Sequence, residues 1–248
     1  TTEIYPLSLH DALPIWLPLW RFLGGERRPI PTNITLDAAE HAAAAEAARR
    51  YTAMGFRAIK VKLDGEPEED ERRLRAVAEA AGPGVALRLD AWQAWDAAQA
   101  VRELGRLADL RLEFCEQPLR ADDLAGLRWV RERSPVPVMA DEALTDAPSA
   151  LALARMGAAD AFNIKLSKAG GLAEAARAAA AASAAGIPCM IGSRLESRLG
   201  ITAAAHFALS QDSIRFADLD GHMHHTLDPV QGGILIQDGE IHLPAEGA

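Results

Sequence analysis

The sequence has 248 residues, of which 49% are apolar, so it can bury the core of one large barrel or of two small domains. Its 26 basic and 35 acidic residues give a formal net charge of −9, which argues against binding to nucleic acid or to an anionic membrane. The two cysteines, Cys115 and Cys189, fit neither a disulfide framework nor a metal site, so we expect a reducing, cytoplasmic compartment. No apolar run approaches the length of a membrane span.

A short apolar run followed by an alanine-rich stretch recurs along the chain. The runs cover, in order, residues 31–36, 56–63, 85–90, 110–116, 136–141, 161–166, 187–192 and 214–218. Most of them have a charged residue at their last or second-last position, and the ends are spaced about 25 residues apart, the length of one strand, one helix and two short loops. Helices are predicted between the runs, for example over Glu69 to Ala81 and Leu172 to Ala185, because alanine is a strong helix former.

This repeat predicts an α/β fold, a (β/α)7β TIM-like barrel. Runs that are mostly apolar rather than alternating are typical of strands buried in a parallel sheet. An open doubly wound sheet is the alternative, but it usually has fewer strands and no eightfold repeat. Because the carboxyl ends of all barrel strands lie at one face, the charged residues that end the runs are predicted to converge at one mouth.

Three carboxylates, those of Asp90, Glu116 and Asp141, end three successive predicted strands. In one cavity they would repel each other and raise each other's pKa, and a hard cation relieves that repulsion. Oxygen ligands select Mg²⁺, Mn²⁺ or Ca²⁺ over softer metals. The alternative is that each carboxylate caps the following helix or pairs with an arginine, but the matching positions on neighbouring strands favour a metal site.

Lysines lie on both sides of this carboxylate set. Lys60 and Lys62 are two residues apart on one predicted strand and therefore share a face, and Lys165 ends the strand after Asp141. The strands of Lys62 and Lys165 stand roughly opposite each other in a closed barrel. We therefore predict that Lys62 and Lys165 exchange a substrate proton on opposite faces, and that Lys60 supplies cationic charge that lowers the pKa of a lysine base. The alternative is that these lysines point outward or make ion pairs with the carboxylates.

The same residues resemble the motifs of the enolase superfamily, in its muconate lactonizing enzyme subgroup. The matching segments are Lys60 to Lys62, Leu89 to Ala91, Glu116 to Pro118, Ala140 to Glu142, Asn163 to Leu166, Gly170 to Gly171 and Met190 to Ser197. The resemblance runs from about Phe22 to the C-terminus. It implies that Asp90, Glu116 and Asp141 bind Mg²⁺ or Mn²⁺, and that the lysines carry out a 1,1-proton transfer next to a substrate carboxylate.

Within this subgroup, Asp218 and Asp220 resemble the Asp-x-Asp of dipeptide epimerases, whose two carboxylates hold the ammonium group of the substrate. The resemblance implies a small carboxylate substrate, a dipeptide such as L-Ala-L/D-Glu that is epimerised at its C-terminal residue. Ser193 and Glu196 are further candidates for substrate binding, although Glu196 could equally orient Lys165 or cap a helix. Muconate cycloisomerase, o-succinylbenzoate synthase, N-acylamino acid racemase and a catalytically impaired barrel fragment remain alternatives.

The chain is expected to have three regions. They are an atypical N-terminal segment over residues 1–21 that the resemblance does not explain, a catalytic barrel over 22–220, and a C-terminal segment over 221–248. Family members begin with an α+β capping domain, most of which this chain is expected to lack. The C-terminal segment contains a predicted hairpin over Ile234 to Leu243, which would pack on that domain. The sequence is also compatible with a homo-oligomer.

One residue departs from the family pattern, and four others are expected to have no catalytic or metal-binding role. The family usually has Asn where this chain has Trp92, which removes an amide near the predicted metal site. His222, His224 and His225 are expected in a solvated loop rather than at a zinc site. Cys115 is expected in the core rather than as a nucleophile.

Overall fold

The computed structural model describes residues 17–37 and 39–244. Within them the strands are β1 (Ile30–Pro31), β2 (Ile34–Leu36), β3 (Ala58–Lys62), β4 (Ala86–Asp90), β5 (Phe114–Glu116), β6 (Val138–Ala140), β7 (Ala161–Lys165), β8 (Cys189–Gly192), β9 (Ile214–Asp218), β10 (Leu235–Gln237) and β11 (Glu240–His242). The α-helices are α1 (Leu19–Phe22), α2 (His41–Ala53), α3 (Pro67–Ala81), α4 (Ala97–Arg106), α5 (Leu124–Arg131), α6 (Ala147–Met156), α7 (Leu166–Ala169), α8 (Leu172–Ala184) and α9 (Arg198–Ala208). Short 3-10 helices cover Ala108–Leu110 and Gly221–His224.

Strands β2 to β9 form one parallel sheet in chain order, with a helix after each of the first seven. The sheet closes where the amide of Asn33, just before β2, donates to the carbonyl of Ala217 in β9 over 3.1 Å. Each predicted run contains one of these strands, and both named helices are present as α3 and α8. The prediction of a (β/α)7β barrel is therefore confirmed.

Alanine explains how closely the helices pack on the barrel. Helix α2 buries Ala44, Ala45 and Ala48, and helix α8 buries four alanines against the sheet. These side chains meet the outward face of the strands, where residues such as Val61 and Leu89 are fully buried. The period of two along each strand then leaves the alternate residues facing the barrel interior.

The barrel interior has an apolar floor beneath a polar layer. The floor consists of Phe114, Met139, Ala161, Met190 and Phe216. The guanidinium of Arg88 lies between the two phenylalanine rings, 5.2 Å and 5.3 Å from their centroids. Above this floor, toward the carboxyl ends of the strands, the next inward positions are occupied by charged and amide side chains. The floor therefore separates this polar layer from water at the amino ends of the strands.

The predicted C-terminal hairpin is present as β10 and β11, which pair antiparallel. Its two-residue turn is Asp238–Gly239, with φ of 53° and 73°, a geometry that Asp-Gly readily adopts. Strand β11 also pairs with β1, so the hairpin completes a three-stranded sheet with the segment that leads into the barrel. Its packing on a capping domain stays a prediction.

The ends of the chain are only partly described. Residues 1–16, which make up most of the predicted atypical segment, and residues 245–248 lie outside the described residues. The rest of that segment contains all of α1 but its last residue, and the amide of Trp20 there donates to Nδ1 of His206 in α9 over 3.1 Å. Both cysteines are buried and unpaired, and burial raises the pKa of the Cys115 thiol, in keeping with a core residue. No helix in the described part of the chain is long and apolar enough to cross a membrane.

Acidification is expected to weaken this helix contact through His206. Burial lowers the pKa of His206 from 6.5 to about 4, so the unfolded chain binds a proton more readily than the folded one. The contribution of the neutral ring to the free energy of unfolding is therefore fully present above pH 6.5 and is lost as the pH falls toward 4. We expect the parent to lose roughly 2 kcal/mol more between pH 7 and 5 than His206→Gln, which does not titrate. Urea unfolding at both pH values measures this, and equal losses would contradict it.

Candidate active site

The carboxyl ends of the barrel strands bring the predicted site residues to one mouth. Asp90, Glu116, Lys165 and Asp218 are the last residues of β4, β5, β7 and β9, and Asp141 directly follows β6. The strand register aligns Lys62 with Asp90 and Asp90 with Glu116, so these ends lie at one level. All three predicted metal carboxylates are buried, with 8%, 0% and 3% exposure for Asp90, Glu116 and Asp141.

Lys60 lies at the centre of the buried charges. Its Nζ is 2.5 Å from Oδ2 of Asp218, 3.3 Å from Oε2 of Glu116 and 3.6 Å from Oδ2 of Asp90. Burial by itself would lower the pKa of Lys60, but the charges of Asp218, Glu116 and Asp90 outweigh it and raise that pKa well above its ordinary value. Lys60 is therefore cationic in this arrangement, and it makes the ion pairs with the carboxylates that were the alternative for these lysines.

Glu116 is the most deeply enclosed carboxylate of the set. Burial raises its pKa to about 8, with further increases from Asp90 and Asp141 and an opposing effect from Lys60. Its Oε1 accepts a bond of 2.5 Å from Nδ2 of Asn163, on the inward face of β7. A Cβ at Gly192 of β8 would collide with that amide, so a larger residue there would displace Asn163 from Glu116.

Asp141 is shared between two lysines. Nζ of Lys165 donates to its Oδ2 over 2.7 Å, and Nζ of Lys168 donates to its Oδ1 and its main-chain carbonyl. Burial would raise the pKa of Asp141, but Lys168 and Lys165 hold it well below the usual range. The pKa of Lys165 is raised because Asp141 and Glu116 outweigh burial, so its amine is protonated in this arrangement.

The carboxylate set fits a hard divalent cation by its chemistry. Asp90, Glu116 and Asp141 offer buried oxygen donors, and a bound cation would stabilise the ionised form of Glu116, whose pKa is raised mainly by burial and further by Asp90 and Asp141. Their oxygens do not all lie within 4.8 Å of one another here, since ammonium groups stand among them. Within the described ranges, only Glu40, His41 and Glu69 bring three potential ligand atoms within 4.8 Å of one another. They lie away from the mouth, just before α2, at its first residue and in α3.

Lys62 lies at the rim rather than in the buried cluster. Its side chain is 45% exposed, and its Nζ pairs with Oδ1 of Asp37 over 2.9 Å. Strands β3 and β7 are separated by β4, β5 and β6, which places Lys62 and Lys165 on opposite sides of the eight-stranded barrel. The topology therefore agrees with the predicted opposition, while the Lys62 amine itself is turned toward Asp37.

Asp218 and Asp220 are both buried, but they differ in their partners. Oδ1 of Asp218 accepts bonds from Asn33 (2.6 Å) and Thr35 (3.3 Å), and its Oδ2 faces Lys60. Burial would raise the pKa of Asp218, but Lys60 lowers it. Oδ2 of Asp220 accepts the amide of Thr35 over 2.5 Å and contacts Nε2 of His224 at 3.1 Å.

The two remaining candidates for substrate binding lie in the loop between β8 and α9. Oγ of Ser193 donates to the carbonyl of Asp218 over 3.0 Å. Oε1 of Glu196 accepts bonds from Oγ of Ser167 (3.1 Å) and from the amide of Arg194 (3.2 Å). Glu196 thus joins its own loop to α7, and Ser193 joins that loop to the end of β9.

Strained backbone surrounds the carboxylates. Trp92 has a φ of 43°, and its amide donates to Oδ1 of Asp90 over 3.1 Å, while its side chain is 70% exposed. Gln117 has a φ of 39° and is fully buried, and its Oε1 accepts the amides of Asp141 (2.9 Å) and Ala143 (3.1 Å). Such conformations are uncommon outside glycine and concentrate at functional sites. Trp92 therefore holds Asp90 through its main-chain amide, although it lacks the side-chain amide of the Asn that the family usually has at this position.

Sequence reasoning did not assign site roles to Gln117, Asn163, Lys168 and His224. Asn163 could have been found, since it precedes Lys165 by two residues and so shares its inward face. Lys168 lies one helical turn after Lys165, a weaker signal. The fully buried Gln117 and the link between His224 and Asp220 depend on loop conformations that no periodicity describes.

An eightfold α/β barrel with carboxylates and lysines at the ends of its strands defines a barrel of the enolase type. The chain belongs to the family described as Enolase C-terminal domain-like, which matches residues 42–247. It is 41% identical over 222 residues to a hydrophobic dipeptide epimerase of Enterococcus faecalis, covering 89% of this chain and 63% of that protein. It is 38% identical over 245 residues to an L-Ala-D/L-Glu epimerase of Bacillus subtilis, covering 97% of this chain and 67% of that protein.

A solved structure shows the same fold. The Enterococcus faecalis dipeptide epimerase complexed with Mg and the dipeptide L-Leu-L-Tyr superimposes with a TM-score of 0.92 at 39% identity, covering 96% of this chain and 68% of that one. The chain thus spans about two thirds of the length of the relatives it matches.

Proposed function

We propose that the chain carries the catalytic barrel of a Mg²⁺-dependent epimerase that acts by 1,1-proton transfer next to a carboxylate. Its substrate would be a dipeptide such as L-Ala-L/D-Glu. The observation that carries the proposal is the arrangement around the barrel. The strands of Lys62 and Lys165 lie on opposite sides, and the buried carboxylates of Asp90, Glu116 and Asp141 lie at the carboxyl ends of the three strands between them.

Each group has a task in the proposed reaction. Asp90, Glu116 and Asp141 would hold the Mg²⁺ ion, which supplies positive charge beside the substrate carboxylate when bound. One of Lys62 and Lys165 removes the α-proton on its face, and the other returns a proton on the opposite face.

The lysines start from different positions. Lys165 is 9% exposed and protonated against Asp141, which suits the proton-donating half of the cycle in one direction. Lys62 has to leave its ion pair with Asp37 and turn inward from the rim, a small cost because the pair is solvent-exposed. Lys60 stays charged among Asp90, Glu116 and Asp218 and adds positive potential to the mouth.

The dipeptide part of the proposal depends on Asp220 and Asp218. Both are buried carboxylates at the end of β9, on the side of the barrel beside β2 and β3. An ammonium group held there would distinguish a dipeptide from an N-acylated amino acid, which has no charge at that position. The similarity to dipeptide epimerases supports this choice over the racemase and cycloisomerase alternatives.

Deuterium uptake tests the proposed function directly. The chain is incubated with Mg²⁺ in deuterium oxide, together with a dipeptide library and matched N-acetyl amino acids, and the products are read by mass spectrometry. We expect deuterium at the α-carbon of the C-terminal residue of dipeptides, and no uptake with Asp90→Asn. Uptake only in N-acylated compounds would favour the racemase alternative, and no uptake in any compound would favour a catalytically impaired barrel.

A further inference from the structure

His224 lies directly on the carboxylate that the proposed function assigns to the substrate ammonium. It is the last residue of the 3-10 helix Gly221–His224, and its Nε2 is 3.1 Å from Oδ2 of Asp220. The same oxygen accepts the amide of Thr35, whereas Oδ1 of Asp220 makes no hydrogen bond within residues 17–37 and 39–244. Asp220 therefore keeps one acceptor for a ligand, beside a ring that can carry a positive charge.

The neighbouring carboxylate does not share this property. Asp218 has both oxygens engaged, and its cationic partner is Lys60, whose pKa lies well above the ordinary lysine value. Lys60 is an amine enclosed among three carboxylates, whereas the partner of Asp220 is an imidazole, whose ordinary pKa lies near neutrality. Of the two carboxylates, only Asp220 has a resident cation that can lose its charge near neutral pH.

The charged groups around His224 set the direction of its titration. The hydrogen bond to Asp220 raises the pKa of His224 above 6.5, against the effect of burial, and Asp37 adds to the increase while Lys62 opposes it. His222, in the same helix, faces the same region with a pKa that burial lowers, so it loses its proton at a lower pH than His224 does. The charge that Asp220 meets is therefore that of His224.

We propose that His224 is a specificity-determining residue that occupies, when protonated, the electrostatic place of the substrate ammonium on Asp220. This inference rests on the proposed dipeptide function. With His224 charged, the carboxylate of Asp220 is already neutralised, and a ligand ammonium gains little over an uncharged N-acyl group. With His224 neutral, the negative charge of Asp220 is available, and ligands with a free amino terminus are preferred.

The expected effect is a preference that changes with pH. The carboxylate of Asp220 and a ligand ammonium would lie a few ångströms apart. At an effective dielectric constant between those of protein and water, such a pair interacts strongly enough to change the affinity for the ligand roughly tenfold. The affinity for a dipeptide relative to its N-acyl counterpart should therefore rise roughly tenfold as the pH rises through the titration of His224. Using a ratio removes pH effects that both ligands share, such as those of the carboxylate cluster.

The test compares L-Ala-L-Glu with N-acetyl-L-Glu by calorimetry in Mg²⁺ buffers from pH 5.5 to 7.5, where the dipeptide amino group remains mostly protonated. The parent ratio of dissociation constants should change roughly tenfold. His224→Gln, which keeps a donor but has no charge, should give a ratio independent of pH. His225→Gln is the matched control, because its ring contacts the main-chain carbonyl of Glu196 and not Asp220, and it should behave as the parent does.

A second measurement needs no variant. Since coupling between two sites is reciprocal, binding of the dipeptide should lower the titration midpoint of the His224 ring observed by NMR, and N-acetyl-L-Glu should not. A parent ratio that does not change with pH, a His224→Gln ratio that still does, or no dipeptide binding at any pH would each overturn the inference. Deuterium uptake separates it from the function: uptake with a constant ratio rejects the role of His224 alone, and a pH-dependent ratio without uptake rejects the epimerase alone.

Discussion

Replacing Lys165 with alanine is expected to abolish epimerisation while leaving exchange of the α-proton on one face of the substrate. Epimerisation needs a proton removed on one side and returned on the other, and Lys165 serves only one of them. The remaining half-reaction requires only Lys62 and the metal site. Because a positioned general acid or base contributes about 10²- to 10⁴-fold, we expect the epimerisation rate to fall at least about a hundredfold.

Lys62→Ala should give the mirror pattern. Each variant is incubated with each epimer of L-Ala-Glu separately in deuterium oxide, and uptake is followed by NMR. Lys165→Ala should exchange one epimer and Lys62→Ala the other. Asp37→Asn is the control, since it removes only the exposed partner of Lys62 and should still epimerise. Either lysine variant epimerising at the parent rate would reject the two-base mechanism for this protein.

Lys60→Met is expected to destabilise the fold by about 3–5 kcal/mol, whereas Lys62→Met should cost about 1 kcal/mol or less. The two lysines lie on one strand, two residues apart, and differ mainly in their surroundings. Lys60 is 3% exposed among Asp218, Glu116 and Asp90, so its removal leaves buried negative charges without a partner. Lys62 loses only a solvent-exposed pair with Asp37.

Urea unfolding of the two variants without metal measures this difference. The double variant Lys60→Met with Asp218→Asn should recover part of the loss, because the carboxylate closest to Lys60 no longer carries a charge. Equal stability of the two lysine variants would show that the buried cluster does not need its central cation.

Much of the architecture could be predicted from the sequence because it depends on local patterns. Strand length, alanine-rich helices and a constant spacing are each readable over a few residues, and a closed parallel barrel is the arrangement that buries eight such units. The rule that strands end at one face then places Asp90, Glu116 and Asp141 together without any knowledge of their contacts. The alternation along β3 likewise placed Lys60 and Lys62 on one face.

What each of these side chains does at the mouth was decided only by the tertiary structure. The sequence places Lys60 and Lys62 on one face of a strand, and Asp218 and Asp220 at the end of another, without showing how the surroundings of each pair differ. In the fold, Lys60 is enclosed by carboxylates while Lys62 reaches the rim, and Asp218 faces Lys60 while Asp220 faces His224. The physical reason is that periodicity determines the direction of a side chain, whereas its charge state and its partners depend on burial and on groups from other strands and loops.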